Sequence, residues 1–199
     1  MQASPGGDAR IALDLVLTVR HDGHGGVADD LADPTGLTAW VRARPGLAAD
    51  ADAADPAAVR EVRAAARALF ARAVRPAEPS PADAARLLPV PEALRRLNEA
   101  AARTPIVPVL HWSDAGTPVV RTAPAPGTRP DLAAALARAV IGFLASSDRE
   151  RLRACHAPRC VRYFLKDHPR QEWCKPSCGN RARVARHQRR RGPAAEPRT

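Results

Sequence analysis

The chain has 199 residues, 45% of them hydrophobic but only 4% aromatic, and it carries 31 Lys and Arg against 21 Asp and Glu. That length suits one medium domain with a small appended module, and the composition calls for a thin core of Leu, Val and Ala carried on helices. Neither export nor membrane spanning is expected: Met1 to Asp8 has no basic leader, and the longest apolar stretch, Leu132 to Ala145, contains Arg138 and falls short of the about 20 residues a bilayer requires.

The charge is concentrated in one segment. From Arg151 to Arg191 there are 13 Lys and Arg against two acids, Asp167 and Glu172, whereas the rest of the chain is nearly neutral. A coding bias explains 29 Arg against 2 Lys, but it does not explain the segregation. A basic end of this kind signals a polyanionic partner or an anionic surface.

In chain order, Ile11, Leu13, Leu15, Leu17 and Val19 alternate with more polar residues and predict a strand over Ile11–Val19, with Asp14 and Thr18 on its other face. His21 to Gly26 is glycine-rich and reads as a loop. Helix starts follow at Thr35, running to Ala43, at Asp55-Pro56, running to about Arg75, and at Ser80-Pro81, running to Leu88. A fourth helix is expected from Pro91 to Arg103, with Leu94, Leu97 and Ala101 on its apolar face. Ile106–Trp112 and Thr117–Thr122 are β-rich and flank Ser113-Asp114-Ala115-Gly116, which has the composition of a hairpin turn. A Pro/Ala/Gly stretch, Ala123 to Pro130, leads to a last long helix from Asp131 to about Ser147. The expected division is residues 10–147 as a first domain, 148–191 as a basic C-terminal module and 192–199 as a disordered tail.

All four cysteines fall within that basic segment, as Cys155-x4-Cys160 and Cys174-x3-Cys178 separated by thirteen residues. Two short-spaced pairs can direct four sulfurs to one point, which is the donor set of a structural Zn²⁺, one per chain. The alternatives are a disulfide framework and a mixed Cys/His site using His156 or His168. Val161–Leu165 and Gln171–Trp173 are expected to be two short strands joined by Asp167-His168-Pro169-Arg170, and Gly179–Arg191 a helix beginning at the fourth ligand. There the positive end of the helix dipole favours a negatively charged ligand. Four thiolates on Zn²⁺ carry a formal −2, so Arg159, Lys175 and Arg181 are candidates for balancing the metal site.

Trp173-Cys174 and Cys178-Gly179-Asn180-Arg181, with Cys155 and Cys160 upstream, resemble the CGNR zinc finger family. The preceding region is similar to the ABATE domain, through Leu13-Asp14-Leu15 with Thr18, the Leu37-Thr38-Ala39-Trp40 helix, and Leu97-Asn98. In the D-F-x-N-T motif of that domain this chain has Leu15 for the aromatic and Leu17 for the Asn. The resemblance implies a stress-linked transcription regulator whose zinc module contacts DNA.

On a helix from Cys178, the residues Arg183, Arg186, His187 and Arg190 share a stripe, and Arg181, Arg189 and Arg191 extend the positive region. These seven are the candidate DNA-binding residues. The stripe from Arg183 to Arg190 is about 10 Å long, comparable with the about 12 Å width of a major groove. Asp14, Arg20, Trp40, His111 and Trp112 are candidates for an effector pocket.

The chain is therefore expected to be an α+β protein: a mostly helical first domain with a small antiparallel sheet, then a four-cysteine zinc finger, treble-clef-like or ribbon-like, with a hairpin and a helix. The expected function is a cytoplasmic DNA-binding transcription regulator acting on duplex DNA, with no membrane association. Its first domain would sense a small-molecule effector or mediate assembly such as a homodimer. The rival reading is a zinc-stabilised protein-interaction module with no DNA contact. An enzyme is not expected, since no nucleophile and base pair, phosphate loop or second metal cluster is present.

Overall fold

The computed structural model describes residues 6–24, 26–44, 47 and 54–190. Arg191 and the expected tail over 192–199 lie outside them. Three two-stranded antiparallel sheets and seven α-helices are found among the described residues, an α+β architecture in which helices supply most of the core.

The central helix is α3 (Pro56–Ala73), opened by Asp55, whose side chain accepts from the Ala57 amide. It packs against α1 (Gly7–Val16), α5 (Val90–Ala102) and α6 (Leu132–Ala145). Val59, Val62, Ala66, Leu69 and Phe70 of α3 meet Leu136, Val140 and Phe143 of α6 in the core. The Phe70 and Phe143 rings stand 5.1 Å apart in a tilted pair. Asp131 caps α6 by accepting from the Ala134 amide, so both long helices begin at aspartates whose carboxylates take up amides that the first helical turn leaves unbonded.

The expected strand over Ile11–Val19 is a helix instead. Ala9, Ala12, Leu15 and Val16 of α1 are fully buried at helical spacing. Leu13 and Leu17 are half-buried and line a cleft against the C-terminal module. The helix thus has two apolar neighbours, and its second apolar face fills the gaps of the first, which produces a false period of two. The strand signal survives only at its end, in β1 (Val19–His21), which pairs with β2 (Val27–Asp29) across the glycine-rich loop.

Several caps also shift. Helix α2 (Pro34–Arg42) is capped by Asp33, which accepts from the Gly36 amide, in place of Thr35. Helix α4 (Pro81–Ala84) is a single turn that stops well before Leu88, and Ser80 makes no side-chain cap bond to it. The second hairpin, β3 (Ile106–His111) with β4 (Val119–Pro124), forms as expected except that its second strand lies two residues later than Thr117–Thr122.

Two arginines are buried on α3. Arg63 grips Asp29 with both terminal nitrogens, at 2.5 and 2.6 Å, and also donates to the Thr18 hydroxyl. Arg63 in turn pulls the Asp29 carboxyl below the ordinary carboxylate range. This pair ties the first hairpin to α3. Arg67, one turn later, reaches toward the cysteines.

Candidate metal centre and its basic helix

Past a 3-10 turn (Ser147–Arg151), strand β5 (Leu152–Ala154) delivers Cys155, and it pairs with β6 (Tyr163–Leu165). The expected partner strand, Gln171–Trp173, is not a strand. The Gln171 side-chain oxygen accepts from the Asp167 amide and the Gln171 backbone amide donates to the His168 carbonyl, closing a turn that bends the chain out of ladder geometry. Between the strands, Ala157-Pro158-Arg159-Cys160 closes with the Cys160 amide on the Ala157 carbonyl, and Arg159 adopts φ 62°. Proline second and a left-handed residue third are the demands of a type II turn, and this turn folds Cys160 back toward Cys155. The second pair is set by α7 (Pro176–Arg190), which Pro176 opens and whose first turn holds Cys178.

These turns bring all four sulfurs within 4.8 Å of one another. Cys160 and Cys178 each lie near Cys174, at 3.9 and 3.5 Å, and 3.9 Å from each other. Tetrahedral Zn²⁺ with bonds of about 2.3 Å sets its sulfurs about 3.8 Å apart, so the set fits one zinc ion. The cysteines are unbridged, which disposes of a disulfide framework. His156 is engaged elsewhere, its Nε2 donating to the Glu78 carbonyl at 2.8 Å, and His168 is exposed. The sulfurs do not ionise independently at this spacing. Hydrogen bonds from Cys160 and Cys174 pull the Cys155 thiol down to about 2, while the bond to Cys155 pushes Cys160 up to about 11 and Cys174 higher still. Four sulfurs at this spacing are a donor set for a divalent cation, which they would hold as thiolates. Arg181 Nη2 donates to Cys178 Sγ at 3.2 Å, turning that guanidinium toward the metal centre. Gly179 packs closely on Trp173: a Cβ there would stand 3.0 Å from Cδ1 of the ring, which would have to give by a few tenths of an ångström.

The centre is sewn into the helical domain. Leu152, Tyr163 and Leu165 belong to the main core, and the Tyr163 ring stands edge-on to Phe70 at 5.6 Å. Buried Arg67 donates to the Val16 and Val161 carbonyls at 2.7 and 2.8 Å and pairs with buried Asp83 at 2.5 Å. Asp83 accepts from the Tyr163 hydroxyl at 3.0 Å, and Ser80 donates to the Cys160 carbonyl. Ser80 and Asp83, carried by the one-turn α4, are therefore the clasp on the metal loop. Sequence reasoning missed this clasp. Its one readable trace is Arg63 and Arg67, which stand one turn apart beside the apolar face of α3.

Of the candidate nucleic-acid residues, Arg183, Arg186, His187, Arg189 and Arg190 are exposed on α7, while Cys178 and Ala182 form its buried side. Arg183 donates to Asn180 Oδ1 at 3.0 Å. No carboxylate pairs with any of these five among the described residues. Arg191 lies outside the described residues.

The expected effector pocket is not assembled. Asp14 pairs with Arg44, which lies over the Trp40 ring at 4.2 Å, Arg20 pairs with Asp30, and His111 and Trp112 stand exposed on the second hairpin. Asp14 and Arg20 thus sit in two separate ion pairs. A cavity of about 610 Å³ lies elsewhere, lined by Asp55, Arg103, Thr104, Thr128, Arg129 and Asp131.

A four-cysteine zinc finger docked on a helical domain is the class of protein this defines. Residues 9–147 match the ABATE family, described as "Putative stress-induced transcription regulator", and residues 151–191 match the CGNR zinc finger. The chain belongs to the ABATE family and carries a CGNR zinc finger at its C-terminal side. A search of curated proteins found no match. No helix among the described residues is long and apolar enough to cross a membrane.

Proposed function

We propose that the protein is a transcription regulator that binds duplex DNA through the exposed face of α7, with zinc holding that helix in place. The observation that carries this reading is a row of exposed cations, Arg183, Arg186, Arg189 and Arg190, with no acidic partner among the described residues. Unpaired cations on one helix suit phosphates, whose bound counterions they displace. Arg181 is assigned to the metal centre, because its guanidinium is committed to Cys178 Sγ. The role is non-catalytic, since four sulfurs fill the coordination number of zinc and leave no position for a reacting water. Four unbridged thiols suit a reducing compartment such as the cytoplasm. The helical domain then serves as the sensing or assembly unit, with the Arg103 and Arg129 cavity as the place where a small effector would enter.

Binding of the zinc-loaded chain to random duplexes across a salt series tests the reading. Affinity that falls linearly in log–log form, with a slope of about −0.9 per phosphate contact, supports it. Absence of binding at low salt, with the zinc site intact, would favour the protein-interaction reading, for which an acidic peptide is the probe.

A further inference from the structure

The β3–β4 hairpin leaves most of its large side chains in solvent, and its two faces differ. Residues opposite each other in an antiparallel ladder share a face, so Ile106, Pro108 and Leu110 lie with Pro124, Thr122 and Val120, and Trp112 continues their row. That face carries no charged side chain, in a protein whose formal charge is +10. Trp112 is 69% exposed, Val120 67%, Leu110 62% and Ile106 42%. The other face holds Val107, Val109 and Ala123, all half-buried, together with His111, Val119 and Arg121. Two strands alone are marginal in water unless one face is covered.

The prolines restrict how it can be covered. A ladder proline must sit where its nitrogen points away from the partner strand. Pro108 and Pro124 share that parity in the register, so the outward row of β3 lacks its central donor and the outward row of β4 ends without one. Strand addition at either edge is thereby disfavoured, and the open apolar face is left as the contact surface.

We infer that this hairpin is a self-association arm whose Ile106, Leu110, Trp112 and Val120 face packs on the same face of a second copy of the chain. A two-fold contact sets a patch against itself, so every charge on it would meet its like. An uncharged face meets that condition, and it offers nothing to DNA or to an acidic partner. Each arm presents about 20 by 10 Å, well under the about 800 Å² per partner of a standard stable interface, so the dimer is reversible. Its salt dependence opposes that of DNA binding. Salt screens the repulsion between two strongly basic chains and tightens the dimer, whereas it weakens a phosphate contact. Failure of one reading therefore leaves the other standing.

The test is sedimentation of the zinc-loaded full chain over micromolar concentrations at low and high salt, for the wild type, Leu110→Lys and Val120→Lys. The expected result is a reversible dimer that tightens with salt and weakens at least about tenfold in either variant, because each places an unpaired ammonium in an apolar contact. If a lysine disturbs the hairpin, acrylamide quenching of the wild type against Trp112→Phe isolates the Trp112 signal, which must become protected as concentration rises. A monomer at every concentration, a dimer indifferent to both lysines, or a Trp112 that stays accessible in the dimer would overturn the assignment.

Discussion

The zinc module and the β3–β4 hairpin are both small β structures appended to the same helical bundle, yet their surroundings are opposite. The module sends Leu152, Tyr163 and Leu165 into the main core and is clasped by Arg67, Ser80 and Asp83. The hairpin sends most of its large side chains into solvent. A short sheet does not stabilise itself, so each needs an outside contribution. The module has a four-cysteine metal site and a shared core within its own chain, and the hairpin has neither. Position along the sequence does not predict this: the module reaches back across 94 residues to Arg67, while the hairpin lies between two core helices and touches them little.

The strongest way to break the comparison is to remove zinc. Structural zinc contributes about 10 to 16 kcal/mol in small fingers, so chelation or Cys174→Ser should unfold residues of the module. From the sequence alone, with a boundary near Asp148, the helical domain would be left intact. The shared core overturns that independence: the domain loses the cover of Phe70 and the partners of Arg67, and its thermal midpoint should fall with the module. Differential scanning calorimetry showing an unaltered helical transition without zinc would contradict this.

Next in size is Arg67→Ala. It strands Asp83 in a buried site and removes bonds to Val16 and Val161 carbonyls. Losing one partner of a buried pair costs about 3 to 5 kcal/mol, measurable by urea unfolding, and should also speed zinc release to a chelator. Tyr163→Phe is milder, since it deletes one hydroxyl bond to Asp83 and should cost about 1 kcal/mol. Burial, and then the charge of Asp83, hold the Tyr163 phenol well above its ordinary range. A folded value above the unfolded one gives stability that is complete below about pH 10 and lost as pH rises past it. The phenylalanine variant should lack this alkaline component. Least affected should be Leu110→Lys, whose unfolding free energy should match the wild type within about 0.5 kcal/mol, as expected of a surface site. A large loss would mean that the hairpin is part of the core after all.

The sequence was legible where one residue type carries the signal. Four clustered cysteines define the metal centre, and Asp55-Pro56 and Asp131 mark the two long core helices, because ligands and caps act over a few residues. It was misleading where two contacts overlap on one element. Leu13 and Leu17 face the zinc module and Leu15 faces the core, so α1 imitates a strand. It was silent on the clasp, since Ser80 offers the signature of a helix cap while its hydroxyl serves Cys160, a partner 80 residues away. The β5–β6 pairing was missed for a related reason: Leu152-Arg153-Ala154 is too short to show a period, and its ladder partner lies about ten residues away past the Cys160 turn.

The central claim, that the exposed face of α7 is the surface that meets duplex DNA, is tested most directly by an Arg183→Ala/Arg186→Ala double variant with its zinc content verified. Both side chains are exposed and neither touches a cysteine, so fold and metal should be retained. If both contact phosphates, affinity should drop for all duplexes alike and the salt slope should shrink by about 1.8, at about 0.9 per lost contact. A double variant that keeps wild-type affinity and wild-type salt slope, with zinc in place, would contradict the account.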